Sequence, residues 1–237
     1  LEDNCESLGS KTAGKLLGNF GLASTFSFFV GHHLSTIEGG MIATDDITLY
    51  NALLMARAHG WDRNLDKSLA LKMRKDAAVD DFFGAYTFYD LGYNVRPTEI
   101  QSFLGNTQIK FWNKIVTSRE KNFRRLHRAA RNNPDFFELE TDHMDFVSNF
   151  AFPVVVKTKA LFNKYRAKFE QSAIEIRPII SGNMLNQPFY KKYITDVQSC
   201  PNAETIHKTG LYFGNNPDLT EPELARLCKL LEKRDPA

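Results

Sequence analysis

The order of apolar and polar residues gives the chain two rhythms. From Ser24 to Phe29 the run "STFSFF" is short, aromatic and β-prone, and "GGMIAT" over 39–44 is a second apolar run bounded by turn residues. That pattern predicts two strands joined by a loop, and the loop carries His32 and His33. Asp45 and Asp46 then offer a cap for "ITLYNALLMARAHG", whose Leu49, Leu53, Leu54 and closing Gly60 fit a helix. Residues 61–96 have no clean period and predict mostly loop, with one short helix near 68–75. Next, Pro97 suits a first helical turn and Thr98 a cap. A stripe of Ile100, Phe103, Leu104, Phe111, Ile115, Phe123 and Leu126 then predicts one long helix, bent at Gly105 and ending at Asn132-Asn133-Pro134.

Beyond Pro134 the rhythm alternates. Strands are expected in "FVSNFAFPVVV", "IEIRPII" and "LYFGN", and helices in "KALFNKYRAKFEQS", near 202–209 and in "TEPELARLCKLLEK", with a loop at "SGNMLNQPFY". This reads as a small α/β domain, with a boundary on the long helix and no internal repeat or low-complexity tract.

Composition narrows the function classes only a little. Of 237 residues, 43% are hydrophobic and 24% charged, as in an ordinary globular protein. Thirty basic and 28 acidic side chains leave +2, too near balance to point to nucleic acid or a membrane surface as a partner. Cys5, Cys200 and Cys228 are dispersed and form no CxxC pair, which argues against a structural zinc and suggests a reducing, cytoplasmic setting. No apolar run approaches the roughly 18 residues of a membrane span, and "LEDNCESLGS" lacks the features of a signal peptide. The chain opens without methionine, so it reads either as processed or as a piece of something longer.

Three stretches invite a chemical reading and a plainer one. "GSKTAGKL" has Gly9, Gly14 and Lys15 at phosphate-loop spacing, but Leu16 stands where a magnesium-binding Ser or Thr is required, so a Gly-rich surface turn is the better reading. Between Lys110 and Arg131 there are eight Lys or Arg and one Glu, a candidate nucleic-acid face that lacks a stacking motif and fits a solvated helix face better. His32 and His33 could serve as metal ligands, as a catalytic group or as ordinary loop residues. Adjacent side chains on extended backbone diverge, and no third ligand is spaced for a metal.

In order along the chain, "EDNCESLGS", "STFSFFVGHHLSTIEGGMIAT" and "LGYNVRPTEIQSFLGNTQI" resemble the sugar aminotransferase-like (DegT/DnrJ/EryC1/StrS) family of pyridoxal-phosphate enzymes, and the likeness covers essentially the whole chain. It implies the aspartate aminotransferase-like, type I fold. The family's Gly-Thr turn and ring-stacking residue precede its ED segment and have no counterpart before Asp3. The expectation is therefore the C-terminal portion of an α/β fold, with part of the large cofactor-binding domain over 1–110 and the small α/β domain over 111–237.

The resemblance also assigns residues. Asp3 would keep the pyridine nitrogen of pyridoxal 5′-phosphate protonated, so that the ring can accept electrons. Ser27 would bond the cofactor phosphate, and Asn94 would reach a phosphate across the interface of a homodimer with a shared active site. Most members carry a Schiff-base lysine directly after the Gly of the "FF-x-G" segment, where this chain has His32. That exchange resembles a smaller branch, the 3-dehydratases of nucleotide-linked 4-keto-6-deoxyhexoses, which use the cofactor as pyridoxamine 5′-phosphate. In that branch the histidine removes a proton from the cofactor's C4′ carbon and the C3 hydroxyl leaves. The same exchange is what an aminotransferase-like relative with altered or no activity would show.

Further along, Arg177 is a candidate for a substrate diphosphate and Asn183 for a sugar hydroxyl, the plainer alternative being a strand end and a turn. The implied substrate is a nucleotide sugar, in deoxysugar and surface polysaccharide synthesis. Some homologous dehydratases hold an iron–sulfur cluster, which three dispersed cysteines do not suit.

Overall fold

The computed structural model describes residues 1–196 and 198–233. In chain order the strands are β1 (Glu2–Asp3), β2 (Lys11–Thr12), β3 (Lys15–Leu16), β4 (Ser24–Ser27), β5 (Gly40–Ala43), β6 (Met144–Phe146), β7 (Ala151–Val155), β8 (Arg177–Pro178) and β9 (Gly210–Gly214). The helices are α1 (Ile47–Ala56), α2 (Lys67–Asp76), α3 (Asp81–Gly84), α4 (Glu99–Ile109), α5 (Trp112–Arg131), α6 (Lys159–Gln171), α7 (Pro188–Tyr193), α8 (Pro201–Thr209) and α9 (Glu221–Leu231). Two compact units result, one of Leu1–Cys5 and Gly18–Lys110, the other of Glu6–Leu17 and Phe111 onward. Where the sequence suggests an unbroken 1–110 segment, residues 6–17 instead pack with the second unit.

In the first unit β1 runs parallel to β4, with Glu2 opposite Ser24 and Asp3 opposite Thr25, and β4 pairs antiparallel with β5 from Ser24↔Ala43 to Ser27↔Gly40. Asp46 caps α1 by accepting the Leu49 N–H at 2.9 Å, as the aspartate pair suggests. Two glutamines one heptad apart on α4 hold the loop between β4 and β5. Gln108 Nε2 donates to Ser35 O at 2.6 Å while its Oε1 accepts from Ser35 N at 2.9 Å, and Gln101 Nε2 donates to Glu38 O at 2.7 Å.

The expected single helix over 97–131 is two, α4 and α5, separated at Lys110 and Phe111. Gly105 is not the break. It lies inside α4, where an added Cβ would stand 3.3 Å from the Thr36 methyl, so the glycine allows α4 to approach the loop.

Residues 61–96 hold more structure than their pattern suggests. His59 N–H donates to Tyr93 O at 2.7 Å and Tyr89 N–H to Gly60 O at 2.7 Å, which closes a neck. From the neck rises an excursion containing α2 and α3. Inside it Asp62, 1% exposed, accepts from Arg74 Nε at 2.7 Å. Arg63 lies 3.9 Å over the Trp61 ring and donates to Ala85 O, while Phe82, Phe83 and Tyr86 remain exposed.

In the second unit "GSKTAGKL" forms the β2–β3 hairpin, with Ala13 and Gly14 both at positive φ (48° and 73°) as a tight two-residue turn demands. It therefore lacks the helix start on which a phosphate loop depends. The core gathers under the antiparallel sheet β7-β9-β8, where Leu126 of α5, Phe152 of β7, Phe169 of α6, Leu211 of β9 and Leu231 of α9 are fully buried. Pro153 is tolerated because β7 is an edge strand. The expected strand over 146–156 is interrupted between β6 and β7, and the one over 174–180 shrinks to Arg177–Pro178.

The basic run of α5 is largely neutralised. Arg124 pairs with Glu120, Arg125 with Glu221 at 2.5 Å, Arg131 with Glu138 at 2.7 Å and Lys114 with Asp218 at 3.0 Å. Arg119 is buried, donating to Asn215 O at 2.6 Å and Phe150 O at 3.1 Å, and burial pushes its guanidinium down to about 10. Among the described residues no helix is long and apolar enough to cross a membrane.

Candidate active site

Asp3, Ser27 and His32 lie where β1 and β4 end. Successive side chains of β1 point to opposite faces. Glu2 turns toward the 18–21 loop, where its carboxylate accepts the N–H groups of Gly18 (2.7 Å), Phe20 (2.7 Å) and Gly21 (2.6 Å). Burial pushes the Glu2 carboxyl up, but the N–H groups of Gly18, Gly21 and Phe20, with the Asn4 side chain, outweigh it and hold the group below its ordinary range.

This gives a pH signature. A carboxylate whose folded-state pKa is lowered adds stability above its unfolded pKa, and that stability is lost as pH falls through the folded value. The melting temperature of the wild type should accordingly drop between about pH 5 and pH 3, and Glu2→Gln should flatten that drop. Parallel acid limbs in the two proteins would show that the 18–21 loop does not depend on the Glu2 charge.

Asp3 faces the other way and is exposed. Its Oδ1 accepts from the Thr25 hydroxyl at 3.1 Å and from Cys5 N–H at 3.2 Å. The Cys5 thiol first, then the Cys5 N–H and, least, the Thr25 hydroxyl hold the carboxyl below its usual range against the opposing effect of burial. Asp3 is thus ionised at neutral pH and open to a cationic partner.

Ser27 closes β4. Its Oγ accepts the Phe29 N–H at 3.2 Å, which leaves the hydroxyl proton available for an acceptor. The chain then turns, His32 N–H donating to Phe29 O at 3.0 Å, and brings the half-buried His32 ring back to β1, with Nδ1 at 2.6 Å from Cys5 O. The Phe29 ring meets it edge-on at 6.1 Å and 83°. His33 is buried at 4% exposure, so the two histidines have different surroundings. Among the described residues no cluster of three or more His, Cys, Asp or Glu is placed to hold a metal.

The structure thus brings Asp3 and His32 together through one residue, Cys5, with Ser27 on the neighbouring strand. Asn94 is placed differently. It sits exposed at the neck, bridging to Ala58, and its Oδ1 accepts from Arg96 Nε at 3.0 Å.

Arg177 and Asn183 belong to the second unit. Arg177 is exposed and forks onto its neighbour Glu175, Nε at 2.9 Å and an η-nitrogen at 2.5 Å to one oxygen, an exposed pair of little worth that a better anion can displace. Asn183 is buried, and its amide is already committed. Oδ1 accepts from Leu185 N at 3.1 Å and Nδ2 donates to Glu204 at 2.8 Å, which makes it an anchor for the 181–187 loop rather than an open hydrogen-bonding group. The Asn183 amide, Lys208 and Asn186 hold Glu204 down to about 2.

Gln101 and Gln108, which fix the histidine loop, escape a reading by residue chemistry. Their spacing on a recognisable helix is the one signal that would have found them.

The sequence profile of the DegT/DnrJ/EryC1/StrS aminotransferase family matches residues 1–232. A GDP-4-keto-6-deoxy-D-mannose 3-dehydratase of Yersinia pseudotuberculosis is 36% identical over 98% of this chain, and the chain spans 59% of that relative's length. An E. coli GDP-4-keto-6-deoxy-D-mannose-3-dehydratase with bound hydrated PLP superposes with a TM-score of 0.83 at 34% identity, over 98% of this chain and 59% of that one. A histidine-to-asparagine mutant of GDP-4-keto-6-deoxymannose-3-dehydratase, with bound GDP-perosamine, gives 0.83 at 35% identity over 98% and 60%.

Proposed function

Because the chain belongs to the DegT/DnrJ/EryC1/StrS aminotransferase family, we propose that it serves a pyridoxal 5′-phosphate or pyridoxamine 5′-phosphate enzyme that acts on a nucleotide-linked 4-keto-6-deoxyhexose as a 3-dehydratase. The observation that carries this reading is an imidazole, not an amine, tied to the strand end that presents Asp3. The chain matches part of its relatives' length, so the activity is proposed for the whole enzyme to which these residues contribute.

The residues present suit the cofactor. Asp3 is an exposed carboxylate held ionised, as pairing with a protonated pyridine nitrogen requires, and Ser27 has a hydroxyl proton to offer a phosphate. When bound, the cofactor supplies a ring that accepts electrons and an amine that takes up the sugar ketone. Asp3 keeps the ring nitrogen protonated, Ser27 orients the phosphate, and His32 takes and returns a proton at the C4′ carbon. An imidazole forms no stable covalent link to a carbonyl, so His32 leaves the cofactor untethered and the proton available for expulsion of the C3 hydroxyl.

Asn94, exposed at the neck, and the exposed Ile100 and Phe103 of α4 support a homodimer in which Asn94 serves the partner's phosphate. In this reading 1–5 and 18–110 belong to the end of the cofactor-binding domain, and 6–17 go with the small domain that begins at 111. Arg177 remains the candidate for the substrate diphosphate, while the buried Asn183 acts on substrate only by way of its loop. A second reading, a relative that binds ligand without dehydrating it, rests on the family's own name, which is that of aminotransferases.

Titration with pyridoxamine 5′-phosphate, followed by absorbance and melting temperature, tests the site. Binding and a rise in melting temperature are expected for the wild type, and Asp3→Ala should weaken affinity by about 2 kcal/mol, roughly 30-fold. Equal affinities in the two proteins would remove Asp3 from the site. Binding without water release from the 4-keto sugar would favour the second reading.

A further inference from the structure

We infer that His32 works through Nε2, because the main-chain carbonyl of Cys5 holds the proton of Nδ1 and so selects the ring tautomer. The inference rests on the proposed role of His32, but its evidence is separate. Nδ1 lies 2.6 Å from Cys5 O, and a carbonyl oxygen only accepts. Nδ1 must therefore donate. In the neutral imidazole the lone pair is then on Nε2, the nitrogen that can take a proton.

The local fold explains why this carbonyl serves. The parallel pairing of β1 with β4 covers Glu2 and Asp3, and its last bond is Asn4 N–H to Thr25 O at 2.9 Å. Cys5 stands one residue beyond and turns its carbonyl to the ring. Its N–H is fixed as well, donating to Asp3 Oδ1 at 3.2 Å in a turn closed by the aspartate side chain. One residue thus connects the carboxylate proposed for the cofactor nitrogen with the base proposed for its C4′ carbon. Cys5 is a positioning residue through its main chain, whatever its thiol does. The bond from His32 N–H to Phe29 O and the edge contact with the Phe29 ring limit the ring's other freedom. A base held in one tautomer by such a partner need not reorganise before proton transfer.

The test reads nitrogen resonances rather than turnover. In protein labelled with 15N-histidine, held at about pH 8.5, the His32 signals are identified by their loss in His32→Gln, or in His32→Asn should the first variant fail to fold. The expected pattern is Nδ1 at the protonated, pyrrole-type position and Nε2 at the pyridine-type position. In protein labelled with 13C-carbonyl cysteine, the Cys5 resonance should shift in the same variant. A reversed or tautomer-averaged pattern, or an unmoved Cys5 carbonyl, overturns the inference and leaves the proposed function standing. The expected pattern in a protein that takes up no pyridoxamine 5′-phosphate would do the opposite.

Discussion

His32→Lys is expected to capture pyridoxal 5′-phosphate covalently, with a new band near the visible edge and, after borohydride reduction, a mass gain confined to the peptide carrying residue 32. A primary amine at the end of the loop that returns to Asp3 would meet the cofactor's carbonyl carbon, whereas the native imidazole cannot keep such a link. On the dehydratase reading, the whole enzyme carrying this variant should lose dehydration by about 100- to 10,000-fold, the range typical for removing a general acid–base group. His32→Gln separates the two effects, since it should lose dehydration to a similar degree and gain no covalent cofactor. Labelling of any other lysine, with residue 32 unmodified, would place His32 outside the cofactor's reach and end the dehydratase reading.

Phe152→Ala is expected to destabilise the second unit by about 3–5 kcal/mol, the cost of a large buried side chain plus the cavity left behind. The ring, on β7, is fully buried, with Phe123 of α5 at 5.8 Å and Phe213 of β9 at 5.6 Å. A lowered denaturation midpoint with an unchanged slope is the expected readout. A loss under about 1 kcal/mol would mean that the core repacks around the vacancy.

What the chain discloses in advance depends on how local its causes are. The helix α1 was legible because Asp46 and the apolar residues after it act within a few residues of one another, although it closes at Arg57, three residues before the glycine expected to end it. The pair β4 and β5 was legible for the same reason, each being a compact apolar run with turn residues at its ends. The break at Lys110 and Phe111 was not, because neither proline nor glycine marks it and the apolar stripe runs straight through. Periodicity reports which residues are apolar, not which of them find cover. Ile100 and Phe103 stay exposed while Phe123 and Leu126 are buried.

Residues 6–17 leave the first unit for reasons that no window of sequence contains. Gly9 fits there because an added Cβ would strike Val116, more than a hundred positions away. At the candidate site Asp3, Ser27 and His32 could be named from residue types in a familiar order. Their common dependence on the main chain of Cys5 could not, since a carbonyl carries no signature in the sequence.

The neck between His59 and Tyr93 has an evolutionary consequence. Gly60 and Gly92 lie so close that a methyl on Gly60 would overlap the Asp90 carbonyl at 1.8 Å, and one on Gly92 would stand 2.4 Å from Gly60 N. Those two positions are therefore closed to larger side chains. A segment stitched shut at its base transmits little of its own length to α1 or β5. The stretch between the stitches can be shortened, extended or exchanged among descendants while β1 with Asp3 and the β4–β5 loop with His32 keep their places, so divergence should collect there.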